Sequence, residues 1–251
     1  MLALIRAEIL KLVRRRGLMI WSLILTVGAV LVAQTILVVL HSVNPARHGP
    51  AGGATNLQHY VFLLAGLGNV AAIIIGSTAG TQDVANGVFR DLVVTGRKRS
   101  TLFNVRIPGA LAVFLPLLAV GFAAAIGGSF LLAGGLPHPT GSDIAKYVEY
   151  ATAVSVVDVV IAVGLAAFAS SRVVVGALIA WNAIVARLLM ALGSLGSSRK
   201  AIDVAAAEHF APARAIDLRI AMSTATALVV LLAYALVFSR VGRWWTTRRD
   251  A

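Results

Sequence analysis

The sequence predicts an all-α integral membrane protein with six transmembrane helices. Of its 251 residues, 59% are hydrophobic and only 13% are charged, and the mean hydropathy is +0.89. Soluble domains carry about 25% charged residues, so this composition lies outside their range. A helix needs about 20 apolar residues to cross about 30 Å of hydrocarbon. The chain has such stretches at Leu18 to Leu40, Gln58 to Gly80, Pro108 to Gly134, Tyr147 to Ala169, Val173 to Gly193 and Ile220 to Phe238.

These spans form a predicted transmembrane domain over residues 18–238, which leaves no room for a soluble catalytic domain. Residues 1–17 precede it. Leu2, Ile5, Ile9 and Leu12 recur there at helical spacing among basic residues, a pattern typical of an amphipathic helix in the membrane interface. A basic tail that follows only the positive-inside rule is the alternative. We expect a retained first span, because the apolar run from Leu18 is too long for a signal peptide.

The distribution of charge predicts the topology. A formal net charge of +12 raises the question of nucleic-acid binding. Most Lys and Arg residues, however, precede the first span, separate the second from the third, or follow the sixth in a basic tail, residues 239–251. This positive-inside pattern places both termini in the cytoplasm. We therefore expect a multi-pass protein of the bacterial cytoplasmic membrane, with membrane lipid and no nucleic acid as a partner.

The connection between the second and third spans, residues 81–107, reads TQDVANGVFRDLVVTGRKRSTLFNVRI. It carries too many charges to lie in lipid. Val84, Val88, Leu92 and Val93 recur at helical spacing, and Gly96 provides a stop. This pattern predicts one amphipathic helix from Asp83 to Thr95.

The order of residues in this connection resembles the first cytoplasmic loop of type-2 ABC exporter permeases. Asp83 stands for that family's acidic residue, Asn86-Gly87-Val88 for its glycine step, and Gly96-Arg97-Lys98-Arg99 for its basic turn. The chain departs from the family at Val88, where Thr is common, and at Thr95-Gly96, where Pro is common. The resemblance implies a coupling helix moved by a separate ATPase. The implied contact residues are Asp83, Asn86, Gly87, Phe89, Arg90, Asp91, Arg97 and Arg99.

The same resemblance implies the function. The chain would be the permease subunit of an ATP-driven ABC exporter that moves a small amphipathic drug, antibiotic peptide or lipid outward, paired with a second copy as a homodimer. ATP and Mg would bind the cytoplasmic ABC ATPase partner, because this chain has no G-x-x-x-x-G-K-[ST] motif. No cofactor of its own and no catalytic residue are expected. The alternatives are a membrane sensor or interaction protein without transport and, with less support, an intramembrane enzyme.

No metal site is predicted. The chain has no Cys, and its five His residues lie in or near outer loops at spacings that do not suit metal ligands.

Several polar residues fall within the predicted spans. A charge in hydrocarbon costs at least about 2.5 kcal/mol, so Asp158 and Arg187 need partners. We expect a buried ion pair between them, across antiparallel fourth and fifth spans. A charged lining of the substrate path is one alternative, and an outward-reaching Arg187 with a protonated Asp158 is another. The uncharged polar residues are expected to bond across helices or to line that path; they include Gln34, Asn69 and Asn182.

Two further patterns concern helix packing and the outer side. Gly76 and Gly80 form a G-x-x-x-G pair, which favours a close helix approach in the second span. In residues 195–219, an amphipathic pattern predicts a helix capped by Ser198 and running to Phe210 before Pro212. Such a segment resembles the short re-entrant helices that cover the exit of these exporters. An ordinary surface loop is the alternative.

Overall fold

A computed structural model describes residues 1–211 and 220–248, apart from the side chain of Val84. Within these residues the chain is helical and has no strand. Six helices are long and apolar enough to cross a membrane: Arg16–Val43, Ala54–Asp83, Arg99–Leu131, Gly141–Leu165, Ser171–Ala191 and Thr224–Arg248. The predicted all-α membrane class is therefore confirmed.

Three spans contain a π-helical turn, and shorter helices flank or connect the spans. The described helices are α1 (Leu2–Val13), α2 (Arg16–Leu23), a π turn (Ile24–Gly28), α3 (Ala29–Val43), α4 (Ala54–Leu63), a π turn (Leu64–Gly68), α5 (Asn69–Ala85), α6 (Val88–Val94), α7 (Arg99–Asn104), α8 (Arg106–Leu131), α9 (Gly141–Leu165), α10 (Ser171–Ala180), a π turn (Trp181–Val185), α11 (Ala186–Ala191), a 3-10 helix (Gly193–Ala201), α12 (Asp203–His209) and α13 (Thr224–Arg248).

The centre of the bundle is the contact between α5 and α9. A Cβ atom added to Gly76 would lie 2.7 Å from the carbonyl oxygen of Val159, and one added to Gly80 would lie 2.4 Å from the Cβ of Ala166. Only glycine allows the two backbones to approach this closely. The close approach predicted from the G-x-x-x-G pair is confirmed, and α9 is the partner.

The sixth span packs on the other side of α9. A Cβ atom on Gly242 would lie 2.8 Å from the Cα of Gly164. Because this crossing holds the helix in place beyond Phe238, α13 continues to Arg248. The described part of the predicted basic tail, residues 239–248, is therefore helical and continuous with the sixth span.

The fifth span contacts α9 and packs more extensively on α5. Val174 and Leu178 of α10 join a buried apolar cluster with Ile73 of α5 and Ile161 of α9. The hydroxyl oxygens of Ser77 and Ser171 lie 2.9 Å apart.

The bundle has two distinct ends. At one end, α7 lies next to the end of α13, since Arg99 donates to the carbonyl of Thr247, while α1 packs on α8 and α6 on the end of α5. At the other end, two connections pack together: the amide of Gly52 donates to Leu132 O at 2.8 Å, and that of Ala54 donates to Pro137 O at 2.9 Å. These backbone hydrogen bonds hold together the connection between the first and second spans and the connection between the third and fourth spans.

The helix predicted from Ser198 to Phe210 is wrong at its start, whereas its predicted end next to Phe210 is confirmed. The chain forms a 3-10 helix at Gly193–Ala201, becomes extended at Ile202, and then forms α12. Ser198 lies inside the 3-10 helix, where its hydroxyl donates to the carbonyl of Leu195, and Ile202 is the N-cap residue of α12. Residues 212–219, including Pro212, lie outside the described residues.

We expect Gly80→Ala to destabilise the protein by about 1–3 kcal/mol, because the added methyl group overpacks the contact between α5 and α9. Gly176→Ala is the matched control. A Cβ atom there meets nothing within 4 Å, so the change should not lower stability. Thermal unfolding in detergent, followed by size-exclusion chromatography, measures both. Equal melting temperatures for the two variants would contradict the packing.

Candidate functional site

The segment between the second and third spans contains two short helices, α6 and α7, rather than one helix. Gly87, at φ +71°, separates α5 from α6, and Gly96, at φ +81°, ends α6. Glycine adopts these left-handed conformations without steric cost. The helix predicted from Asp83 to Thr95 is therefore wrong at its start, because Asp83 belongs to the last turns of α5.

Most of the predicted ATPase-contact residues lie together on the surface of this segment. We call this region the α6 surface and define it by these exposed residues: Asn86, Gly87, Val88, Arg90, Asp91, Val94, Arg97 and Lys98. Arg99 begins α7 and is half-buried. The α6 surface carries both signs of charge and two exposed apolar side chains, Val88 and Val94, and protein interfaces combine apolar and polar groups in this way.

Two of the predicted contact residues are buried instead. Asp83 is 3% exposed and Phe89 is 5% exposed. Asp83 faces inward because it is the counterion of Arg106, which is 1% exposed. Phe89 lies beneath α6, with its ring centroid 5.8 Å from the Arg106 guanidinium carbon, in cation–π range. Neither side chain is available for an ATPase contact in this conformation.

Asp83 belongs to a buried ion cluster, which we define as Glu8, Lys11, Asp83 and Arg106. Asp83 accepts from Lys11 Nζ at 2.7 Å and from Arg106 Nη2 at 3.3 Å. Lys11 also pairs with Glu8. Arg106 Nη1 donates to the carbonyl of Gly80 at 2.9 Å. Two carboxylates thus balance two cations, as buried charges require.

The cluster also fixes α1 to the bundle. Glu8 and Leu12 are buried, and a Cβ atom on Gly109 would lie 2.6 Å from the Cβ of Glu8. Burial raises the pKa of the Glu8 carboxyl, and the hydrogen bond from Lys11 opposes this shift. The N-terminal helix therefore docks on the third span through one face. Leu2, counted on its apolar face from the sequence, remains exposed.

A second polar region surrounds a cavity of about 280 Å³ between the second, fourth, fifth and sixth spans and α12. Its polar lining residues are Asn69, Tyr150, Asp158, Asn182, Arg187, Asp203 and Glu208. Four of the predicted intramembrane residues thus meet at one cavity.

The predicted ion pair between Asp158 and Arg187 is wrong. Asp158 Oδ2 accepts hydrogen bonds from the amide nitrogens of Asn69 at 2.6 Å and Asn182 at 2.7 Å. Arg187 pairs instead with Glu208, with 3.2 Å between Nη1 and Oε1. The reason is that α12 folds back over the cavity and supplies a carboxylate that the sequence pattern assigned to a surface.

Both amides that hold Asp158 lie at π turns. Asn69 directly follows the π turn of the second span, and Asn182 lies within that of the fifth. Such turns are rare and frequently occur at functional sites. The regular helical spacing used to analyse the sequence cannot locate them.

Sequence reasoning also missed Asp203. Its Oδ1 accepts from the indole nitrogen of Trp181 at 2.9 Å and from its neighbour's backbone amide. Burial raises the pKa of Asp203, and the Trp181 hydrogen bond partly opposes the shift.

Gln34 does not reach this cavity. It is buried, and its Nε2 donates to the carbonyl of Ala124 at 2.9 Å. It therefore bonds the first span to the third, which is the packing role expected for a polar residue in a span.

We expect Asp83→Asn to lower stability by about 3–5 kcal/mol, because it leaves Arg106 buried without a counterion. The control is Asp91→Asn, the same change on an exposed carboxylate, which should fall within about 0.5 kcal/mol of the wild type. Unfolding in increasing concentrations of SDS measures the difference. Asp83→Asn with wild-type stability would refute the ion cluster as a structural link.

Comparison of the chain with protein-family models and with curated proteins finds no match.

Proposed function

We propose that this chain is the permease subunit of an ATP-driven ABC exporter in the bacterial cytoplasmic membrane. It would act as a homodimer with two copies of a separate cytoplasmic ATPase. The observation that carries the proposal is the α6 surface, which projects from the bundle and is anchored beneath by buried Phe89 and the ion cluster. An exposed helix that is anchored to the bundle in this way can transmit the motion of a bound partner protein to the spans.

The ion cluster supports a mechanical role for this helix. Asp83 bonds to α1 through Lys11 and to the start of the third span through Arg106. Breaking the pair between Arg106 and Asp83 would leave the Arg106 charge buried without a counterion, which costs several kcal/mol. Force applied at α6 would therefore move α1, α5 and α8 together instead of bending α6 alone.

The expected cycle follows from this linkage. ATP binding closes the two ATPases, the α6 helices move with them as levers, and the bundles change the side to which the path is open. ATP and Mg belong to the partner, since the sequence has no P-loop of its own. Orientation with both termini in the cytoplasm follows from the positive-inside pattern.

Purification of the tagged chain from its native membranes in mild detergent tests the proposal. We expect a P-loop ATPase to co-purify in a fixed ratio and to hydrolyse ATP with vanadate sensitivity. A pure oligomer without any ATPase would reject the permease function and favour a sensor or interaction protein.

Charge reversal tests the contact surface. We expect Arg90→Glu to weaken ATPase association at least about tenfold, because a reversed charge at an interface brings like charges together. Lys146→Glu, an exposed reversal in the fourth span, should leave association unchanged. Pull-down against purified ATPase over a concentration series measures both. Equal affinity of Arg90→Glu and wild type would place the contact elsewhere.

A further inference from the structure

The described lining of the cavity between the spans has more acidic than basic side chains. It includes the carboxylates of Asp158, Asp203 and Glu208 and the base Arg187. Arg187 and Glu208 neutralise each other. Over residues 1–211 and 220–248, neither Asp158 nor Asp203 has an ion-pair partner.

The environment of Asp158 differs from that of Asp203. Asp203 accepts two hydrogen bonds at one oxygen, from an indole and a backbone amide. Asp158 accepts hydrogen bonds from two side-chain amides, both at Oδ2. Asp158 is therefore held in place by neutral groups that position its carboxylate without balancing its charge.

A second observation indicates a missing donor. Asn69 lines the cavity and is 7% exposed, and its Oδ1 has no hydrogen-bond partner among the described residues. Buried amide oxygens are nearly always bonded. Asn69 already donates from its amide nitrogen to Asp158. Its unpaired amide oxygen therefore lies close to the Asp158 carboxylate. A cation with several N–H groups could donate to both the Asp158 carboxylate and Asn69 Oδ1.

The remaining walls are apolar. Ile73, Ile179 and Leu231 line the cavity together with the ring of Tyr150. A volume of about 280 Å³ is close to the lower limit of ligand pockets, about 300 Å³. The cavity therefore suits a compact molecule with one charged end and an apolar body.

We propose that this cavity binds a small protonated amine with an apolar body, whose ammonium group interacts with Asp158 and Asn69. The site lies within one copy of the chain, between its own second, fourth, fifth and sixth spans. The binding site itself stands on these contacts, whereas its role as the site of the transported substrate rests on the proposed function.

Equilibrium dialysis with the full chain in lipid nanodiscs tests the site without any ATPase. The probes are 1-aminoadamantane, which is protonated at pH 7, and 1-adamantanol, a neutral molecule of almost the same shape. We expect saturable binding of the amine at least about tenfold tighter than that of the alcohol, after subtraction of binding to empty nanodiscs. Equal binding of the two probes, or no saturable binding of the amine, would overturn the proposal.

Three variants locate the site. Asp158→Asn keeps an acceptor for both amides but removes the charge, so amine affinity should fall at least about tenfold while alcohol binding stays the same. Glu149→Gln removes an exposed carboxylate from the same span, outside this cavity, and should change nothing. Unchanged amine affinity in Asp158→Asn would overturn the assignment.

Gly66→Leu is the steric variant, and it leaves every charge in place. Gly66 lines the cavity and a Cβ atom there meets nothing within 4 Å, so the protein should fold with the cavity filled and the amine excluded. Retained amine binding in Gly66→Leu would contradict the location.

The two proposals fail separately. Amine binding that depends on Asp158 without a co-purifying ATPase would retain the site and reject the permease function. A vanadate-sensitive ATPase on a chain that binds no amine would do the reverse.

Discussion

The buried ion cluster joins three parts of the chain that are far apart in sequence: α1, the end of α5 and the start of α8. Arg106 is 1% exposed and would be very unfavourable there without Asp83. Because one carboxylate serves both Lys11 and Arg106, the three helices have one favourable arrangement. The positions of α6 and α7 follow from this, since both are short and lie next to the helices that the cluster joins.

Helix α5 connects the two polar regions of the molecule. Asp83 and Gly80 contact Lys11 and Arg106 near one end, Gly76 and Gly80 pack on α9, and Asn69 holds Asp158 at the start of the helix. Asn69 and Asp83 are about 21 Å apart along the axis, at about 1.5 Å per residue. A displacement of α6 would reach the cavity through this one helix.

The sequence predicts the spans well, because length and hydropathy depend on the membrane and not on tertiary contacts. The Gly76–Gly80 pair also predicts a close contact, although not its partner. The errors concern helix boundaries outside the spans and the partners of charged residues. Helical spacing puts Asp83 and Phe89 on an amphipathic helix, but Gly87 breaks that helix and Arg106 attracts the carboxylate inward. The pairing of Arg187 with Glu208 depends on how α12 folds back, which no local pattern encodes.

Site-directed crosslinking tests the central claim, that the α6 surface is the contact for an ATPase. The chain contains no Cys, so Val94→Cys introduces a single thiol at a side chain that is 78% exposed. Leu131→Cys provides a control at the opposite end of the bundle, where the side chain is 86% exposed. After treatment of native membranes with a thiol-linked photocrosslinker, we expect the Val94→Cys variant, and not the control, to form an adduct with a P-loop ATPase. The absence of an ATPase adduct at Val94, or equal adducts at both positions, would contradict this account.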